Sequence, residues 1–424
     1  RGERSAMQFR KAKETDERDL KALWAYCFEK PGDPFFDWYF RRLYEPEKAL
    51  VGETGGQIAC ALHRRPYEVY VRGEDFSTDY IVGVATHPAA RGRGHAAELL
   101  RGEFHIAAGE DKPFVLLMPS AASYYLPLGF SFAVHQWERK ASPETLGLLG
   151  KKPEQARTVN DPSDWQDLAA VYDAYTKDRN LYVFRDGPSW ERHIEGQLQE
   201  GYAAVVYDDE GPSGYLFYSI EDRCLTVSEM AFARESGRKG LYAYMAGHRG
   251  SVSQCVWYEP LDDDSYRTWN DGAEHTYIQN RTFPYMMVRL TDPVAAFDGL
   301  PCDENLKGEI AFWLADSFLP ENSGMYVLRA EEGKIHALKE DVLYSLKCHI
   351  EDISGVPMGN VSEPAFCLNA GALAELFTGA SDLAGLLRNS RAVWLIPDER
   401  KRKEILRFAG CILPKQANWI NEWY

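Results

Sequence analysis

The sequence has no C-x-x-C pair among its eight cysteines, which stand at 27, 60, 224, 255, 302, 348, 367 and 411. It also lacks a histidine cluster with zinc spacing. That excludes a zinc finger or ribbon. In a chain of 424 residues it also excludes the disulfide framework that staples small secreted domains. The cysteines read as reduced, mostly buried thiols of a cytoplasmic protein with no metal site. Low-complexity segments and blocks of like charge are absent too. Lys and Arg number 48 against 64 Asp and Glu, a formal charge of −16, so no phosphate-tracking surface and no nucleic-acid partner are expected. No apolar run is fit to span a membrane: the uncharged stretch Pro113–Trp137 is broken by Pro119, Ser120, Pro127 and Gly129 and reads as strand, loop, strand. No apolar signal region follows Arg1–Ala6, which reads as residual or processed sequence ahead of Met7. A soluble protein is expected.

What is present is ordinary globular composition, 45% hydrophobic and 26% charged, at a length that suggests two to three domains. Thr15, Asp16 and Glu17 start a helix that carries Leu20, Leu23, Trp24 and Cys27 on one face. Thr54-Gly55-Gly56 turns a hairpin between Ala49–Gly52 and Gln57–Cys60. Tyr67–Val71 and Asp79–Val84 are expected as further strands, Gly94–Ala108 as a helix and Phe114–Met118 as a strand. Ser142–Glu154, bracketed by Pro143 and Pro153, reads as a linker. The opening order then recurs. Leu168, Val171 and Tyr172 repeat Leu20, Leu23 and Trp24 at an offset of 148 residues, and a hairpin joins Ala204–Tyr207 to Gly214–Phe217. Two related α/β domains in tandem are one reading; two α/β domains that merely look alike are the other. Beyond Met286 a third, smaller α+β domain is expected, with a hairpin about Glu332-Gly333 and close-packed helices over Asn369–Phe377 and Ser381–Leu387.

The stretch richest in chemistry runs from Val82 to Ala97. A strand ends at Thr86, Pro88 follows, and the turn Arg91-Gly92-Arg93-Gly94 opens a helix at His95, Ala96 and Ala97. Backbone N–H groups in such a turn, with the positive end of the helix dipole, make a phosphate site. Gly92, Gly94 and Ala96 leave room for a pyrophosphate, and Arg91 and Arg93 add charge. A plain strand-to-helix turn is the competing reading. No Lys-Ser/Thr follows, so it is not a Walker loop, and it lacks the spacing and acidic partner of a dinucleotide fingerprint. The second stretch, Leu117–Phe130, holds Tyr124, Tyr125 and the run Tyr125-Leu126-Pro127-Leu128-Gly129-Phe130. Tyr124 is expected to fill the core beneath the loop, and from the residues alone Tyr125 could be core too.

The order strand, Pro88, Arg-x-x-Gly-x-Ala resembles the acetyl-CoA motif of the GNAT N-acetyltransferases, and Tyr125–Phe130 resembles their Tyr-x-x-Phe-Gly-Phe/Tyr segment. The resemblance implies that the pantetheine arm of acetyl-CoA, the co-substrate, bonds Val84, Ala85 and Thr86. It implies too that the rest of the cofactor lies on Arg91–Ala97 and on Ser120 and Ala121, and that Tyr125 is the proton donor to the departing CoA thiolate, a role its hydroxyl suits at neutral pH. Two such domains in tandem, the Met-Val-Arg-Leu exit at Met287–Leu290 and an Ala/Leu/Gly-rich C-terminal part are similar to the enhanced intracellular survival (Eis) acetyltransferases. That implies an α/β (α+β) fold: an N-terminal GNAT domain over 7–145, a degenerate GNAT-like domain over 155–290, and a sterol-carrier-like domain over 291–424. The middle domain has basic and glycine residues at Glu229–Gly240 but no Arg-x-x-Gly-x-Gly/Ala motif. The family delivers its C-terminal carboxylate into the first domain's pocket as general base, here that of Tyr424, where the family usually has Phe. An aromatic terminus can also simply dock a tail that would otherwise fray.

The resemblance further implies a bulky cationic amine acceptor such as an aminoglycoside, sometimes a lysine side chain, and a homo-oligomer, a hexamer in the family. Other readings are an apolar-ligand carrier with a vestigial acetyltransferase half, or transfer to a peptide lysine. His87 and His95 are expected to bind cofactor or solvent, His105 to be structural, and Glu29, Asp33 and Asp37 to form a solvated acidic loop.

Overall fold

The structure, a computed structural model, describes residues 7–268, 278–340 and 363–423. The first stretch contains β1 (Gln8–Lys11), α1 (Glu17–Cys27), α2 (Pro34–Arg42), β2 (Ala49–Thr54), β3 (Gln57–Val71), β4 (Glu74–Thr86), α3 (His95–Gly109), β5 (Phe114–Leu117), α4 (Ala122–Tyr125), β6 (Ser131–Ala141) and α5 (Pro143–Leu149). The second contains β7 (Gln155–Val159), α6 (Gln166–Thr176), β8 (Tyr182–Val183), α7 (Gly187–Gln197), β9 (Tyr202–Asp208), β10 (Gly211–Glu221), β11 (Cys224–Phe232), α8 (Glu235–Ala246), β12 (Gln254–Pro260) and β13 (Gln279–Leu290). The last contains α9 (Pro293–Phe297), β14 (Gly308–Ala315), β15 (Gly324–Glu331), β16 (Lys334–Glu340), β17 (Phe366–Asn369), β18 (Ala392–Trp394), and helices Ala370–Thr378, Leu383–Arg388 and Glu399–Ile412.

Two compact units result, each discontinuous in sequence: residues 1–11, 49–134 and 286–418 in one, and 12–48, 135–285 and 419–424 in the other. In the first unit the strand order is β1-β2-β3-β4-β5-β13. Among the described residues only β4 and β5 are parallel within it, and β13 pairs with β5 through Met287↔Leu117 to Leu290↔Phe114. Two-residue turns set the hairpins. Gly55 and Gly56 both have positive φ between β2 and β3, as do Arg72 and Gly73 between β3 and β4, the backbone that matches strand twist. Leu99, Leu100, Phe104 and Ala107 bury one face of α3 against Leu62, Ile81, Val115 and Leu117. The unit's second sheet has the order β16-β15-β14-β17-β18, with Phe312 stacked on Tyr326 and on Phe366. The helix Ala370–Thr378 is buried at every position but Glu375, and Phe377 packs on Phe76 and Phe114.

The second unit repeats the plan with the order β6-β12-β11-β10-β9-β7. Again one pair is parallel, β11 with β12, and an antiparallel strand, β6, follows it through Cys255↔Ala141 to Pro260↔Gln136. Leu168, Val171 and Tyr172 are buried as their counterparts Leu20, Leu23 and Trp24 are.

Two expectations change. Tyr67–Val71 is not a separate strand; β3 runs on for 15 residues. Arg64 and Arg65 broke its apolar pattern, yet Arg64 is buried in ion pairs with Asp79, Glu103 and Glu110. The expected linker 142–154 contains α5, with Ser142 accepting from Thr145 N at 3.1 Å and Pro143 in the first turn. That pairing is a helix-start signal that the flanking prolines disguised. Among the described residues no helix is long and apolar enough to cross a membrane.

Candidate active site

Strands β4 and β5 pair in parallel only at Asp79↔Val115 and Tyr80↔Leu116. Beyond that register they part, and the edge of β4 from Val82 to Thr86 no longer faces β5. A bulge lies here, where Ala61↔Ala85 jumps to His63↔Val82, and Gly83 has φ +60°. A bulge re-aims the strand and leaves backbone groups outside the ladder. Val84, Ala85 and Thr86 therefore present a backbone edge of the kind an extended amide chain can pair with.

The turn after this edge is built by local geometry. His87 Nδ1 accepts from Ala89 N at 3.3 Å, Pro88 fixes a single 3-10 turn over Pro88–Ala90, and Arg91 Nε donates to Thr86 O at 3.0 Å. Gly92 and Gly94 sit at φ +72° and +79°, and a Cβ on either would meet nothing within 4 Å. The glycines are thus required by backbone conformation, and the space above the turn is open. Gly94 is the N-cap of α3, so the unpaired N–H groups of His95, Ala96 and Ala97 head a helix of 15 residues. This cradle fits a pyrophosphate with an amide arm extending along β4. Arg93 is exposed beside it, as are Ser120 and Ala121 after β5.

The tyrosines are reversed with respect to burial. Tyr124, expected in the core, is 41% exposed, while Tyr125 is 8% exposed among Leu128, Phe130 and Phe104. Adjacent residues on a helical turn lie about 100° apart, so only one of the pair can face inward. Burial, with Tyr124 beside it, pushes the Tyr125 hydroxyl up to about 12. It therefore holds its proton through the neutral range. The turn that follows is clamped by a residue that sequence reasoning did not single out. Arg289, 1% exposed on β13, donates from Nε to Leu128 O at 2.9 Å and from Nη2 to Asp316 Oδ2 at 2.5 Å. Asp316 Oδ1 in turn accepts from Phe318 N and Leu319 N. Gly129, at φ +86°, leaves room for that guanidinium: a Cβ there would lie 2.7 Å from Arg289 Nε. A charged residue inside the apolar run Met286–Leu290 was the available signal.

The remaining candidates have local partners. His105 pairs with Glu321 at 2.7 Å. Glu29 accepts from Trp24 Nε1, Asp33 from Lys30 N and Asp37 from Gly32 N. In the second unit the stretch Glu229–Gly240 is filled rather than open. Arg234 is paired with Asp208 and Arg238 with Glu235 and Asp263, while Gly237 and Gly240 are buried where α8 presses on Ser213 and Val206. Tyr424 lies outside the described residues. Among the described residues no three His, Cys, Asp or Glu are placed to hold a metal ion.

A parallel pair that splays, a glycine turn heading a helix, and a tyrosine on the next loop fit an acyl-CoA-dependent acyltransferase. Sequence comparison gives the same class. Models of the GNAT acetyltransferase domain match residues 8–133 and 181–290, together more than half of the chain. The chain belongs to the GNAT acetyltransferase family; it is a GNAT N-acetyltransferase, and its family implies an acyl-CoA co-substrate. Its whole-chain fold is that of Eis-like proteins. It is similar to a conserved protein of Enterococcus faecalis V583 described as a probable N-acyltransferase, at TM-score 0.80 and 18% identity, covering 99% of this chain and 100% of that one. A GCN5-related N-acetyltransferase from Anabaena variabilis is similar at TM-score 0.79 and 16% identity, with the same 99% and 100% coverage. Eis1 from Mycobacterium abscessus follows at TM-score 0.70 and 14% identity, again covering 99% of this chain and 100% of its own. No curated protein matches the sequence significantly.

Proposed function

We propose that the protein transfers the acetyl group of acetyl-CoA directly to an amine of a bulky cationic small molecule, of the aminoglycoside or polyamine kind. The observation that carries this is the splayed edge Val84–Thr86 leading into the Gly92–Gly94 cradle, in the same unit as a buried, protonated Tyr125. The amine nitrogen attacks the thioester carbonyl carbon and the C–S bond breaks. The Tyr125 hydroxyl gives its proton to the departing thiolate, and the amine's proton passes to the Tyr424 carboxylate. A terminal carboxylate has a reference pKa of about 3.5, so this last step needs burial of the carboxylate or a relaying water. The formal charge of −16 favours a cationic acceptor. A cytoplasmic homo-hexamer with three domains, over 7–145, 155–290 and 291–424, belongs to the same reading.

The test is thiol release from acetyl-CoA by protein with a free C-terminus, against a panel of aminoglycosides, linear polyamines, simple monoamines and lysine peptides. Release that depends on amine and ranks bulky polycations first is the expected result. Preference for the lysine peptide, or acetyl-CoA binding without release, overturns the acceptor. No acetyl-CoA binding at all would turn attention to an apolar-ligand carrier.

A further inference from the structure

The second unit has the same opening between its parallel strands as the first. Strands β11 and β12 pair only from Cys224↔Gln254 to Thr226↔Val256, then part as β4 and β5 do. Here the opening is occupied by the chain's own residues Trp419–Trp423. Asn421 Nδ2 donates to Ser228 O, on the β11 side, at 2.6 Å. The Trp423 ring lies 5.3 Å from the ring of Tyr258 on β12 and 4.7 Å from that of Tyr285 on β13. Gln136 Nε2, on β6, reaches Asn421 Oδ1 at 3.1 Å and Ile420 O at 3.3 Å. Trp419 and Ile420 are 1% exposed, with Trp419 against Tyr175.

A buried charge cluster locks this arrangement. Arg185 Nη1 and Nη2 bind Glu229 on β11 at 2.8 and 2.9 Å, and Nη2 also binds Glu422 of the tail at 2.7 Å. His193 Nε2 lies 3.0 Å from Glu229, and its Nδ1 lies 3.8 Å from Glu422. Tyr215 donates to Glu229 at 2.5 Å. Burial opposes the charge on Glu229, but Arg185 and His193 outweigh it and hold the carboxyl well below the usual carboxylate range. Trp419 and Ile420 already anchor the segment by apolar burial. Burying a carboxylate there as well is costly unless it is fully paired, and what it adds is a fixed geometry.

We propose that the second acetyltransferase domain has given its acyl-CoA opening to the chain's own C-terminal tail, and that Arg185 is the positioning residue that locks the tail for acetyl transfer. The catalytic half of this rests on the reading of the Tyr424 carboxylate as base. The test compares full-length Arg185→Met, Arg185→Lys and Glu422→Gln with wild type. The last is a change on the tail alone that leaves the Arg185–Glu229 pair intact. Carboxypeptidase release of the tail and a kcat-against-KM split are the readouts. The expected result is release at least about tenfold faster and kcat lower by about 100-fold in Arg185→Met. KM for acetyl-CoA should be unchanged, Glu422→Gln should move the same way, and Arg185→Lys should recover part. A tail that stays protected, or one that is released with wild-type kcat, overturns the proposal. One residue added after Tyr424 separates the two readings. If the addition abolishes kcat and Arg185→Met does not, the base stands and the lock falls. If the addition leaves kcat intact, the base falls, and carboxypeptidase protection alone then decides the dock.

Discussion

Tyr125 and His63 show how burial converts a side chain's ordinary chemistry into something specific. At about 12 the Tyr125 hydroxyl stays protonated throughout the working range, so its ionisation cannot produce an alkaline limb in kcat below pH 10. Tyr125→Phe is expected to lower kcat by about 10²–10⁴ at unchanged KM for acetyl-CoA, whereas Tyr124→Phe, at an exposed position, should change it little. A wild-type fall in kcat near pH 9 that vanishes in Tyr125→Phe would contradict this assignment. His63, 4% exposed on β3, is lowered to about 3, by burial first and by Arg65 second. It is neutral in the fold but would bind a proton in the unfolded chain below its reference value of about 6.5. Its contribution is therefore complete above pH 6.5 and lost as the pH falls toward 3, at up to about 1.4 kcal/mol per pH unit. Chemical denaturation at pH 7, 5.5 and 4.5 should show this slope in wild type and a flatter one in His63→Gln.

At the scale of elements, the proposed site rests on the strand-to-helix turn and the loop after β5, and they differ in how far they could be read from sequence. The turn was legible because its causes are local: Pro88, the two glycines and the start of α3 all lie within ten residues of Thr86. Gly94→Ala must hold a left-handed N-cap at about 1–2 kcal/mol. Because no neighbour is hit, the cost should appear as KM for acetyl-CoA raised about tenfold with kcat kept. The loop was only half legible. Its Tyr-x-x-Leu-Gly-Phe pattern pointed to Tyr125, but the clamp on it comes from Arg289, 161 residues from Leu128, and from Asp316, 27 residues further on. Local pattern carries no record of such a pairing. The same is true of Arg64, whose partners lie on β4, on α3 and just after α3. Asp316→Asn leaves Arg289 buried without a counter-charge, a loss of about 3–5 kcal/mol. It should lower the melting temperature and kcat together, while KM for acetyl-CoA, which the proposed site assigns to the turn, holds.

At the scale of the whole molecule the repeated plan was visible in the offset between Leu20 and Leu168, but the different use of the two copies was not. The first copy keeps an open glycine turn; the second pairs its arginines and buries its glycines on α8, against Ser213 and Val206. That leaves the chain's acidity as the property acting on the acceptor at long range. A charge of −16 draws a polycation toward the surface through the field of many carboxylates, and salt shortens the reach of that field from about 10 Å at 0.1 M to 3 Å at 1 M. The chemical step is set by contacts much shorter than either length and should be insensitive to it. Raising ionic strength should therefore increase KM for a tetra-amine several-fold, raise KM for a monoamine much less, and leave kcat unchanged for both. Steady-state kinetics in a chloride series would measure this directly. Equal salt dependence for the two amines would mean that the acceptor is recognised by shape and short contacts alone, and that the acidic surface plays no part in choosing it.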